Sequence, residues 1–235
     1  MIIGEHLTKR FGRGEAAVTA IDDMNFTIAS REFVAVMGES GAGKSTLLAV
    51  MGAMNAPTRG TLTVDGIDVY SLGSEQRADF RREYLGFVFQ SFHLLGYLTL
   101  EENVMLPLAT IRLPLRRKRD LAHQALAAVG LDGKHRRLPH EISGGEKERT
   151  AIARAIVNRP PVILADEPTG NLDSRTSQEV MRLLRKLRDD GTTVVMVTHS
   201  PQCAAYAERI LQVSDGRLQT GQKTLEAVGP QGRAA

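Results

Sequence analysis

The chain has 235 residues, 42% of them hydrophobic and 24% charged, which suits a globular protein with one sizeable core. Thirty Lys and Arg against 27 Asp and Glu leave a formal charge of +3, too mild to point to nucleic acid. A single cysteine, Cys203, excludes an internal disulfide framework, fits a reducing cytosol and is expected as a small buried hydrophobe.

No stretch approaches the ~20 apolar residues of a membrane-spanning helix, so action at a membrane requires a partner chain. Met1 to His6 has no basic region followed by an apolar core, which predicts no signal peptide. Strands are expected over 24–28 and 33–37, the second ending at a glycine-rich segment. Thr61-Leu62-Thr63-Val64 runs into Asp65-Gly66, a hairpin-turn dipeptide, and Phe87-Val88-Phe89 is another strand-sized run. From about residue 100 the pattern becomes helical, over 101–109, 115–129 and 145–157. Strands return at 162–165, 193–198 and 210–213, with helical pattern at 176–189. Strands alternating with helices imply an α/β fold with a mainly parallel sheet covered on both faces. The expected organisation is one domain over 1–228. Its core spans 1–90 and 157–228, a helical subdomain spans 91–156, and a flexible tail follows at 229–235.

Gly38-Glu39-Ser40-Gly41-Ala42-Gly43-Lys44-Ser45-Thr46 matches G-x-x-x-x-G-K-[ST], with an apolar strand before it and a helical stretch after it. Glycines let successive backbone N–H groups turn toward phosphate oxygens, and the helix N-terminus adds partial positive charge. Lys44 is expected against the β- and γ-phosphates of a nucleoside triphosphate, and the Ser45 hydroxyl on Mg²⁺. Downstream, Val162-Ile163-Leu164-Ala165 delivers Asp166 and Glu167 at a strand end, where a parallel sheet places chemistry. Asp166 is expected to hold Mg²⁺ through its water shell. Glu167 is expected to take the proton of an attacking water, or to orient that water. Alone, an Asp-Glu pair before Pro168 would equally suit a surface turn; its weight comes from co-occurrence with the glycine-rich loop.

Ile142-Ser143-Gly144-Gly145-Glu146 carries a more specific signal. Ser143 with Glu146 forms a capping box, so a helix starts here, and its glycine-bearing N-terminus is a second anion site. This segment resembles the signature of the nucleotide-binding subunits of ABC transporters, usually Leu-Ser-Gly-Gly-Gln. The resemblance covers residues from Phe11 to about Gly216. It implies a P-loop core with an N-terminal antiparallel β part and an inserted α-helical subdomain. It also implies ATP and Mg²⁺ as cofactors, ATP hydrolysis, and a homodimer in the ATP-bound state, in which each signature closes on the other copy's γ-phosphate.

Further positions match in family order. Gln90 matches the glutamine that senses Mg²⁺ and the attacking water. Asp173, in Asn171-Leu172-Asp173, matches the loop crossing the dimer interface. His199 matches the histidine that contacts the γ-phosphate, and Phe11 the aromatic residue stacked on adenine. Two positions depart from the pattern, Ile142 for Leu and Glu146 for Gln, and Glu146 puts a carboxylate near a phosphate site unless capping turns it toward its own backbone. Glu-containing signatures resemble the lipoprotein-releasing and macrolide-exporting branch. That branch implies a separate integral membrane permease, placement on the cytosolic face of the inner membrane, and no nucleic-acid partner or membrane insertion of this chain. Cargo would be chosen by the permease. Residues 92–98, directly after Gln90, are the expected docking surface for a permease helix; Arg116 to Arg119 are expected as a solvated helix start. A non-transport ABC ATPase in DNA maintenance or translation, or a mechanical driver of cell-wall enzymes through a membrane partner, are the alternatives.

Overall fold

The computed structural model describes residues 1–219 and 223–224; the expected tail at 229–235 lies outside them. Strand β1 (Ile2–Phe11) pairs antiparallel with β2 (Val18–Ile28) and β4 (Arg59–Val64), and β4 with β5 (Ile67–Asp68). The β4–β5 turn is Asp65-Gly66, both at positive φ (48° and 82°), as a two-residue hairpin requires.

The second sheet is mainly parallel. Strands β9 (Arg209–Ser214), β3 (Phe33–Met37), β8 (Thr193–Val197), β7 (Val162–Asp166) and β6 (Leu85–Phe89) lie side by side in that order. Two short strands, β10 (Arg217–Leu218) and β11 (Lys223–Thr224), pair antiparallel with β9. Alternation of side chains across the sheet sets the layers. Val34 and Val36, Val162 and Leu164, and Val195 and Val197 point into one core, with α1 (Lys44–Met51) and the antiparallel sheet. Phe33 and Ala35, Ile163 and Ala165, and Val194 and Met196 point into the other. There they meet α3 (Leu100–Met105), α4 (Leu115–Ala128), α5 (Gly144–Ile156) and α6 (Ser174–Asp189). Both faces are buried, which is why these strands read as continuous apolar runs.

Helix α2 (Ser74–Tyr84) precedes β6, and α7 (Pro201–Ala204) follows β8. The helix expected over 101–109 ends at Met105 and continues as a 3-10 turn, Leu106–Leu108, because Pro107 has no N–H to donate. Among the described residues no helix is long and apolar enough to cross a membrane.

Candidate functional site

Four adjacent parallel strands, β3, β8, β7 and β6, end on one edge of the sheet, and each is followed by a segment singled out in the sequence. After β3 the chain turns through residues 38–43 into α1. A Cβ on Gly38 would lie 2.1 Å from the Val213 carbonyl oxygen, and one on Gly43 2.1 Å from that of Ala20. With Gly43 at φ 101°, only glycine lets the loop curl this tightly. The Lys44 ammonium, 8% exposed, donates to the carbonyls of Gly38 (2.9 Å) and Glu39 (2.7 Å). It is folded back under the loop, with Ala42 and Gly43 buried and Glu39, Ser40 and Gly41 exposed around it.

Beside it, the exposed Ser45 hydroxyl donates to Asp166 Oδ1 at 3.3 Å. Burial pushes the Asp166 carboxyl upward, the Ser45 contact opposes the rise, and the neighbouring Glu167 carboxylate adds to it. Glu167 sits at φ 47°, a conformation uncommon for a non-glycine residue. Its N–H donates to the Val197 carbonyl at 3.0 Å, and Oε2 is 2.5 Å from Nδ1 of His199. His199 follows the last buried residue after β8, Thr198, whose N–H donates to the Val36 carbonyl of β3 (3.1 Å). Gln90, exposed after β6, is tied in through its backbone, since Asn171 Nδ2 donates to its carbonyl at 3.0 Å.

The signature forms the start of α5. Ser143 Oγ accepts from the Glu146 N–H (3.3 Å), and Glu146 Oε2 accepts from the Ser143 N–H (2.8 Å). The other Glu146 oxygen pairs with Lys134. Lys134 and the Ser143 N–H together hold this carboxylate down to about 2. The departure from Gln therefore carries its own compensation: the charge faces its own backbone and a lysine. Lys134 was not legible as part of this arrangement, because nothing in its spacing links it to the capping box. Gly144 is exposed, whereas Gly145 is buried against α6, and a Cβ on Gly145 would lie 2.2 Å from Thr176 Cγ2. Asp173 caps α6, accepting from the Thr176 N–H (3.0 Å) and hydroxyl (2.6 Å), contacts that lower its carboxyl.

Phe11, 42% exposed, pairs with Val18 in the antiparallel sheet, two residues from the Ala20 carbonyl that touches the glycine-rich loop. Lys9 Nζ lies 5.0 Å from its ring centroid. In the segment over 92–98, Leu95 and Tyr97 are exposed (36% and 78%), and Arg154 clamps the carbonyls of Phe92 and His93. Arg154 also lines an adjoining open groove of about 530 Å³, with Met54, Arg81, Phe87, Leu106 and Pro107. In the basic run, Arg119 Nε bonds Glu101 at 3.0 Å, while Arg116 and Arg117 are exposed.

A glycine-rich strand-to-helix loop, acidic residues ending the next strand but one, and a capped, glycine-started helix on an inserted helical block define the cassette class of P-loop ATPases. The ABC transporter family model matches residues 21–170, and the chain belongs to that family. It is 44% identical, over 91% of its own length, to the macrolide export ATP-binding/permease protein MacB of Vibrio parahaemolyticus. It spans about a third of that relative, 33%. It is 42% identical to the uncharacterized ABC transporter ATP-binding protein MJ1508 of Methanocaldococcus jannaschii, over 93% of this chain and 97% of the relative. Among solved structures it superposes with a TM-score of 0.88 and 39% identity on the ATP-binding cassette MJ0796, in a dimeric post-hydrolysis state bound to ADP and Pi. That match covers 96% of this chain and 99% of the other.

Proposed function

We propose that this chain binds ATP with Mg²⁺, pairs with a second copy around two ATP molecules, and hydrolyses them to drive a separate integral membrane permease. The observation that carries the proposal is the convergence of Lys44, Ser45, Asp166, Glu167 and His199 at neighbouring strand ends, with the capped signature at the start of a separate helix, α5. One chain then offers a phosphate cradle and a spare anion site, and a twofold pair satisfies both.

The residues suit Mg²⁺: the Ser45 hydroxyl and the Asp166 carboxylate are a hard oxygen pair, and burial raises that carboxyl although the Ser45 contact and the Lys44 charge oppose the rise. Bound there, the ion would neutralise developing charge on phosphoryl oxygens. The chain's own groups do the rest. Lys44 exchanges loop carbonyls for phosphate oxygens and stays desolvated. Glu167 accepts the proton of the attacking water on its carboxylate, and His199 keeps that carboxylate oriented through Nδ1. Gln90, anchored by Asn171, reports occupancy of the cradle to the helical block, and Phe11 offers an aromatic face to the adenine base. Loss of the γ-phosphate removes the ligand joining two copies, so nucleotide and dimerisation are linked.

The permease is proposed to seat a helix in the groove beside Arg154, at the cytosolic face of the membrane. Relatives named for macrolide export support an exporter-like branch by similarity. Light scattering on Glu167→Gln tests the reading: with ATP the mass doubles, and without ATP it is that of a monomer. A monomer with ATP demonstrably bound, in the presence of the permease as well, overturns the nucleotide-bridged dimer.

A further inference from the structure

Three side chains with metal-ligating atoms, none of them in the phosphate loop or at the strand ends beside it, meet in the helical block. Glu101 stands in the first turn of α3, His123 lies within α4, and His135 belongs to the segment between α4 and α5. One ligand atom from each lies within 4.8 Å of the others. His123 Nε2 is 2.5 Å from Glu101 Oε2, and the imidazole rings of His123 and His135 are 4.4 Å apart, inclined at 42°. The backbone holds this juxtaposition. The N–H groups of Leu100 and Glu101, which a helix start leaves without partners, donate to the carbonyls of Arg137 (2.9 Å) and His135 (3.0 Å). Glu101 and His135 are thus presented from one hydrogen-bonded frame.

We propose that Glu101, His123 and His135 bind a divalent transition ion of the Zn²⁺ class, with a fourth position open to water. Two imidazoles and a carboxylate suit a borderline-soft cation. A tetrahedral ion with bonds of about 2.0–2.1 Å sets its ligand atoms roughly 3.3 Å apart. The Glu101–His123 separation of 2.5 Å is shorter than that and the others lie within 4.8 Å, and His123 is exposed enough to rotate. Arg119 Nε donates to the second Glu101 oxygen, Oε1, at 3.0 Å. This leaves Oε2 facing the imidazoles, in the manner of an outer-shell partner. The same guanidinium charge weakens the site relative to a structural zinc site, by competing for the Glu101 carboxylate. Occupancy would also fix the neighbour of His135, Lys134, whose ammonium holds Glu146 of the signature. The site thereby ties the loop that supports α5 to α3 and α4. It stands independently of the ATPase reading.

The test is calorimetric titration of the untagged full chain with Zn²⁺, free of nucleotide and Mg²⁺, with Co²⁺ absorption reporting the ligand field. One ion binds per chain, with a Co²⁺ spectrum of low coordination number. His123→Ala and His135→Ala each weaken binding at least about thirtyfold, with circular dichroism unchanged, and His199→Ala leaves the isotherm as it was. Hydrogen exchange at residues 133–137 slows on Zn²⁺ addition. Absence of binding, or binding that survives both histidine replacements, shows that the cluster is a Glu101–His123 ion pair and overturns the proposal.

Discussion

His199 Nδ1 lies 2.5 Å from Glu167 Oε2, bridging the gap between the segments that follow β8 and β7. The imidazole is 68% exposed and the carboxylate 19%, so a half-buried acid is held by a ring that reaches out to solvent. A contact of this kind restricts the carboxylate's rotamers and leaves Nε2 for whatever approaches from outside.

His199→Ala removes this restraint without opening the core. Steady-state phosphate release is expected to fall by roughly 10²-fold, while ATP affinity, measured by calorimetry, stays within about threefold. An unchanged turnover number would take the histidine out of the mechanism.

Lys44→Ala removes the two charge-assisted bonds to Gly38 and Glu39 as well as the charge itself. ATP affinity is expected to drop by about 10²-fold or more, since hydrogen bonds to charged groups contribute about 1.5–3 kcal/mol each. Undiminished binding in a calorimeter would sink the phosphate-loop assignment.

Ser143→Arg removes the cap of α5, at about 1 kcal/mol, and places a long side chain at the exposed start of the signature. ATP binding by the monomer should be retained and the ATP-dependent dimer of Glu167→Gln lost in the double variant. Loss of binding by the monomer would show that the signature serves its own chain's nucleotide.

Glu148, within α5, is fully buried, and neither carboxylate oxygen has a hydrogen-bond partner. Burial pushes it up to about 8, and the Arg154 charge offsets only part of that. The carboxyl is protonated in the folded chain at pH values where the unfolded chain has released its proton. Stability is therefore lost as pH rises from the ordinary carboxylate range to about 8. Glu148→Gln should stabilise the protein little at pH 5 and by a few kcal/mol, as an order of magnitude, at pH 8. Urea midpoints at the two pH values measure this. A gain that does not grow with pH would mean that Glu148 is ionised against Arg154.

The site was legible in sequence wherever function demands a fixed local order. The glycine-rich loop, the Asp166-Glu167 strand end and the capping box each follow from contiguous residues and local hydrogen bonding. The apolar runs of β3, β7 and β8 were legible because burial on both faces removes the need for alternation. β1 was not read as a strand, since Glu5, Lys9 and Arg10 mix polar residues into a segment with irregular register. The partners that come from elsewhere in the chain left no local trace. Lys134 reaches Glu146, and Glu101, His123 and His135 meet, only because three helices and a loop pack together.

Thr176 shows two faces to two different elements. Its methyl group fills the space that a side chain on Gly145 would need, and its hydroxyl bonds to Asp173. The glycine of the signature and the cap that begins α6 therefore share a single threonine as hinge pin. A copy approaching from outside would meet both surfaces in fixed relative position, so engagement of one aligns the other, and a bulkier residue at Gly145 would misalign the pair rather than merely obstruct a phosphate.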